Sequence, residues 1–147
     1  MPRPDFACAP TLRVRWAEVD MQKIVFNGHY LTYIDTAIAE YWRAIGLPYP
    51  DGYVPRFGND VFLRKATVEY LGSARYDDVL AVCCRVARLG RSSMTFAFEI
   101  YRGEEQGPLV TAELVYVNAD PATMKAAPLP EEVRERVGAF EKLKPQT

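Results

Sequence analysis

The spacing of apolar residues changes period once, early in the chain. Leu12, Val14 and Trp16 alternate with Arg13 and Arg15, the period-two pattern of a strand with one buried face, which predicts a strand over residues 11–17. Beyond it Leu31, Ile34, Ala37, Ile38, Tyr41, Trp42 and Ile45 recur every three or four positions. That spacing lays them along one side of a helix of about four turns over residues 28–45. Gly46 is placed to end this helix in a left-handed conformation, and Pro48 prevents it from resuming. A stretch rich in Pro, Gly and Tyr follows over residues 47–58 and reads as a loop.

Four strand-like segments come next. Phe62, Ala66, Val68 and Tyr70 share one face of residues 61–70, and Leu80, Val82, Cys84 and Val86 one face of residues 79–88. Met94, Phe96, Phe98 and Ile100 alternate with Thr95, Ala97 and Glu99, and residues 109–118 have the same character. The connections at Gly90 and around Gly103 are short enough for antiparallel hairpins. A closing helix is predicted from Pro130-Glu131-Glu132, with Val133, Val137 and Phe140 on one side. The order strand, long helix, four strands, short helix is that of an α+β protein whose sheet covers the helix.

Composition narrows the function. The 147 residues form one domain, residues 1–10 being a loosely held lead-in, and a hydrophobic content of 49% with 25% charged residues is that of an ordinary soluble protein. A net charge of −1 argues against a general nucleic-acid binder. No apolar run is long enough to span a membrane, and the prolines and acid of the first five residues do not suit a signal peptide, so a cytoplasmic protein is expected. Cys8 stands apart, while Cys83 and Cys84 face opposite ways in a strand, so small buried thiols are expected and no metal ligation. The chain has a single histidine, which excludes His-rich zinc sites and leaves only His29 for any Ser-His or Cys-His arrangement.

Asp20 lies between the first strand and the long helix, with Asn27 and Gly28 where that helix begins. The first turn of a helix offers unpaired N–H groups and a partial positive charge, so it can hold an oxyanion while a nearby carboxylate attacks or activates water. The run Val14-Arg15-Trp16-Ala17-Glu18-Val19-Asp20, then Ile24-Val25-Phe26-Asn27-Gly28-His29-Tyr30-Leu31, resembles the opening of the 4-hydroxybenzoyl-CoA thioesterase family of hotdog-fold acyl-CoA thioesterases. The likeness continues more loosely through Val68-Glu69-Tyr70, Ala74 to Asp78 and Gly90 to Ser93.

The resemblance implies a hotdog fold, an antiparallel sheet wrapped around a long central helix. It also implies an acyl-CoA substrate, no cofactor and a homo-oligomer, a dimer or tetramer with the site between subunits. Asp20 is then the essential acid, as nucleophile or general base, and the Asn27 N–H polarises the thioester carbonyl while its side chain caps the helix or touches substrate. Ile24, Val25, Gly28, Tyr30 and Tyr70 would contact the acyl group, and Arg88, Arg91, Ser92 and Ser93 the phosphates of coenzyme A, with Arg64 and Arg75 as secondary candidates. Lys23 stands where the family usually has Gly, a departure that bears on loop geometry. Asp35 and Glu40 on the long helix are competing acids, and His29 is expected to be a packed or interfacial imidazole. Two alternatives share the fold: a hydroxyacyl dehydratase, disfavoured by the lack of a second histidine, and a non-catalytic acyl-carrier or protein-binding module.

Overall fold

The computed structural model describes residues 3–147. Five strands form one antiparallel sheet in the order β1-β3-β4-β5-β2: β1 (Thr11–Arg13), β2 (Asp60–Tyr70), β3 (Val79–Leu89), β4 (Ser93–Arg102) and β5 (Val110–Ala119). The long helix α1 (His29–Ala44) lies against one face, buries Tyr30, Tyr33, Ile34, Ala37, Ile38, Tyr41 and Trp42, and packs Tyr41 edge-on against Phe96 of β4. The architecture is the hotdog fold. Fully burying each such side chain is worth roughly 1.5–3 kcal/mol, so this stripe outweighs any intrinsic helix propensity in fixing α1.

The helix stops where expected. Gly46 takes φ +84°, and the Gly46 and Leu47 N–H groups turn back to the carbonyls of Arg43 and Trp42. In the following loop a short helix α2 (Val54–Phe57) positions buried Tyr53, whose hydroxyl donates to Asn118 Oδ1 at 2.7 Å. The closing helix α3 (Glu131–Phe140) buries Val133 and Val137 and sets Phe140 edge-on to Tyr41.

Three expected positions differ. The first strand ends at Arg13 because Arg15–Glu18 closes a 3-10 turn; Val14 remains buried but Trp16 is swung out to 84% exposure. Leu31 is exposed at the start of α1, the stripe there being carried by Tyr30 and Tyr33. In β2 a bulge between Leu63 and Lys65 shifts the alternation by one residue. Ala66, Val68 and Tyr70 sit opposite Leu114, Ala112 and Val110 on the inner face, but before the bulge Val61, opposite buried Asn118, takes the inward position expected of Phe62.

The lead-in is also held more firmly than expected. Pro10 and Cys8 accept hydrogen bonds from the Val82 and Cys84 N–H groups, and Phe6 packs with Ala81, Cys83 and Tyr101 on the outer face of β3. Residues 1 and 2 lie outside the described residues. Cys83 and Cys84 face opposite sides, Cys84 in the main core, and all three thiols are buried and free. Burial pushes the Cys8 thiol up to about 12. Among the described residues no helix is long and apolar enough to cross a membrane.

Candidate active site

The segment from Arg15 to Gly28 crosses the end of the sheet where β1 meets β3, and it is tied down at several points. Val19 and Val25 form an isolated antiparallel bridge. Between them the Asp20 N–H donates to the Ile24 carbonyl at 3.0 Å and the Lys23 N–H to the Asp20 carbonyl at 2.9 Å, closing a tight turn. Lys23 sits at φ +66°, the left-handed region that favours glycine. The Gln22 N–H donates to Asp20 Oδ1 at 2.8 Å, which fixes one carboxylate oxygen, while Oδ2 has no hydrogen-bond partner among the described residues.

Glu18, which sequence reasoning did not single out, holds this segment from beneath. Its carboxylate is 5% exposed and accepts from the Arg15 N–H (2.8 Å), the Arg15 guanidinium (2.9 Å) and the Tyr33 hydroxyl (2.8 Å). Burial alone would raise its pKa, but the hydrogen bonds from Arg15 and Tyr33 outweigh it and hold the carboxyl below its ordinary value. The sequence carries no capping-box signature here, because an Arg15 side chain can only donate; the bonds to Glu18 emerge only in the structure.

At the start of α1 the His29 and Tyr30 N–H groups bond back to the carbonyls of Phe26 and Asn27. The N–H groups of Asn27 and Gly28 have no partner among the described residues. Gly28 rather than Asn27 is the N-cap, and no side chain caps the helix, so the Asn27 side chain does not serve as the cap. Tyr70 of β2 donates its hydroxyl to the Asn27 carbonyl at 3.2 Å and meets the Tyr30 ring edge-on at 5.7 Å, while the Tyr30 hydroxyl accepts from the Ala74 N–H at 3.0 Å.

These groups surround a cavity of about 330 Å³. Asp20, Ile24, Val25, Asn27, Tyr30 and Tyr70 all line it, with Gln22, Gly72 and Ser73, which had not been anticipated. Gly28, expected as a substrate contact, is not among the lining residues, and the space a side chain there would occupy is bounded by the Phe26 ring. The remaining candidates lie elsewhere. The His29 ring packs 5.9 Å from Phe26. Asp35 borders a separate cavity of about 230 Å³ with Trp42, Tyr49 and Tyr116, where desolvation raises its carboxyl. Glu40 pairs with Arg43 at 2.6 Å on the surface.

Arg88, Arg91, Ser92 and Ser93 are at the far end of the sheet. β3 begins at Val79, beside Arg13, and runs 11 residues to Leu89, so about 33 Å of strand separates them from the Asp20 loop. Their hairpin is bound to the C-terminal region through Asn118 N–H to the Ser92 carbonyl and Leu129 N–H to the Arg91 carbonyl. Within one chain they do not join the cavity.

An antiparallel sheet around a central helix, with Asp20 and Asn27 lining one cavity near the helix start, is the hotdog architecture. The family model of the Thioesterase superfamily matches residues 22–108, and the chain belongs to that family. It is 28% identical over 122 residues to the acyl-CoA thioester hydrolase YbgC of Escherichia coli O6:H1, covering 83% of this chain and 89% of that one. Among solved structures the AQ1494 protein of Aquifex aeolicus superposes with a TM-score of 0.78 at 28% identity, covering 88% of this chain and 98% of that one. Slr0204 of Synechocystis, a 1,4-dihydroxy-2-naphthoyl-CoA thioesterase, shares the fold with a TM-score of 0.80 at 19% identity, covering 88% of this chain and 94% of that one.

Proposed function

We propose that the protein hydrolyses acyl-CoA thioesters with Asp20 as the essential acid. The observation that carries this reading is that Asp20, Asn27 and Tyr30 of α1 line one cavity, with the Asn27 N–H before the helix lacking a partner among the described residues. A carbonyl seated between them has its oxygen polarised by the amides and its carbon open to Asp20 Oδ2. Either the carboxylate adds to the carbonyl, expelling the CoA thiolate and leaving an anhydride that water cleaves, or it takes a proton from water that adds instead. Both routes end in free acid and the thiol. The developing oxyanion is where fixed amides contribute most, because they need no reorganisation as the charge forms. Likeness to the relative named an acyl-CoA thioester hydrolase supports the same substrate class.

Purified protein incubated with short, long and aromatic acyl-CoAs is expected to release free thiol catalytically from at least one. Hydration of an enoyl-CoA with no thiol release would favour dehydratase chemistry, and binding without turnover a non-catalytic module.

The same reading makes the protein a homodimer or a dimer of dimers. β2 is a sheet edge with exposed Leu63 and Tyr70, a row of unpaired backbone groups that a second copy of β2 can complete. Leu63→Lys is expected to shift the mass measured by light scattering from dimer or tetramer toward monomer. A wild-type monomer would contradict the assembly.

A further inference from the structure

Cys8 and Cys84 are direct partners across the sheet. The lead-in runs antiparallel to β3 in the register that β1 continues: Thr11, Leu12 and Arg13 stand opposite Ala81, Leu80 and Val79, and further back Cys8 stands opposite Cys84. Every second residue of β3 donates along this edge, the Val82 N–H to the Pro10 carbonyl at 2.9 Å and the Cys84 N–H to the Cys8 carbonyl at 2.8 Å. Cys8 and Cys84 are therefore a hydrogen-bonded pair, whose Cα atoms stand about 5.5 Å apart. A disulfide spans Cα separations of about 4.4–6.8 Å, so the backbone already has the spacing that one needs.

The side chains agree with the backbone. Opposite residues of a pair share one face of a sheet, and both thiols enter the main core. Cys83 points the other way, into the outer cluster with Phe6, Ala81 and Tyr101, and cannot reach Cys8. In the closed state burial and the nearby Glu141 carboxylate keep the Cys8 thiol protonated, which suppresses its reaction. The lead-in is nevertheless an edge segment. Besides the two bonds to β3, it is held by the packing of Phe6 and by exposed hydrogen bonds, from Arg3 to the Gly103 and Glu105 carbonyls and from Lys142 to the Pro4 carbonyl. Such a segment opens at a lower free energy than the sheet it covers. Lifting it carries Cys8 into water and uncovers the edge of β3 that bears Cys84.

We propose that Cys8 and Cys84 form a thiol modification site, which takes a low-molecular-weight disulfide as co-reactant and closes to an intramolecular disulfide. The Cys8 thiolate attacks the co-reactant RSSR, forming a Cys8–SR mixed disulfide and releasing one RS⁻. As the lead-in docks again, the Cys84 thiolate attacks the Cys8 sulfur and expels the second RS⁻. The two cysteines lose two electrons and two protons, and RSSR takes up both to leave as two RSH. The bridge fastens the lead-in to β3 and closes a loop that contains every residue lining the Asp20 cavity. It does not depend on the reaction catalysed there.

The test uses the reduced, natively folded full-length protein and oxidised glutathione, read by intact mass, by thiol alkylation in denaturant and by fragmentation of the linked peptides. The protein is expected to lose two hydrogen atoms, and its three alkylatable thiols should fall to Cys83 alone. The Tm should rise by about 5 °C or more, with dithiothreitol reversing both changes. Cys83→Ala should keep the bridge and the shift, Cys8→Ala should lose both, and Cys84→Ala should stop at the glutathione adduct on Cys8. Three free thiols after prolonged incubation overturn the proposal. So does a bridge through Cys83, which an unfolded chain would form as readily, or a lasting glutathione adduct on wild-type Cys8. A bridge that lowers the Tm would equally refute the fit of the register.

Discussion

Asp20→Asn is expected to lower kcat by about 10³-fold with little change in fold or substrate affinity. The replacement is isosteric and keeps a side-chain oxygen for the Gln22 N–H, so the 2.8 Å bond that holds the side chain is retained. What is lost is the negative charge, and with it both the nucleophile and the base. A factor of 10³ corresponds to about 4 kcal/mol of barrier, within what one positioned carboxylate contributes, and the oxyanion donors at α1 account for residual turnover. Stopped assays of thiol release on the best acyl-CoA of the panel, alongside a thermal melt, check it. Loss of less than tenfold would move the essential acid elsewhere, with Asp35 next in line because it lines the separate cavity beside α1.

Glu18→Ala is expected to be the most damaging change to the fold near the site. It removes a buried carboxylate and leaves the Tyr33 hydroxyl and the Arg15 N–H without partners. Arg15 is largely exposed, so the ion pair itself contributes little, and the cost lies in the two stranded donors. Roughly 2–3 kcal/mol follows, a drop in Tm of about 5–10 °C for a chain of this size. Activity should fall too, since the turn that the Glu18 side chain holds also carries the main-chain carbonyl that accepts the Phe26 N–H and links the Asp20 turn to the start of α1. The sign of the pH dependence is fixed by the depressed carboxyl. Glu18 stabilises the folded state fully above its unfolded pKa, and that contribution is lost as pH falls through its lower folded pKa. Urea titrations across the acidic range should therefore show a steeper loss of stability in the wild type than in Glu18→Ala. Parallel curves would contradict this role.

The parts of the fold legible in the sequence were those governed by uninterrupted periodicity. The α1 stripe from Ile34 to Ile45, the Gly46 terminator and the alternations of β3 and β4 all follow from residues whose burial repeats at one spacing. Failures came where a single local event broke the period. The turn closed by Glu18 released Trp16, and the bulge at Arg64 exchanged Phe62 for Val61; neither leaves a mark in an apolar pattern, because both are set by hydrogen bonds made elsewhere. At the site, the residues that meet at the cavity lie within one short motif and one strand end. Glu18 was invisible because its role depends on Tyr33, 15 residues away and one helical turn inside α1. The φ of +66° at Lys23 shows what the departure from the family glycine means for the loop: a lysine in a left-handed turn that glycine would occupy without strain.

Hydrolysis at Asp20 depends on where a thioester carbonyl comes to rest. A crystal structure with a non-hydrolysable thioether analogue of an acyl-CoA, one that keeps the acyl ketone, measures this directly. The carbonyl carbon is expected about 3–3.5 Å from an Asp20 carboxylate oxygen, with the carbonyl oxygen in hydrogen-bond range of the Asn27 or Gly28 N–H. A carbonyl bound away from these amides, with Asp20 facing only solvent, would contradict it.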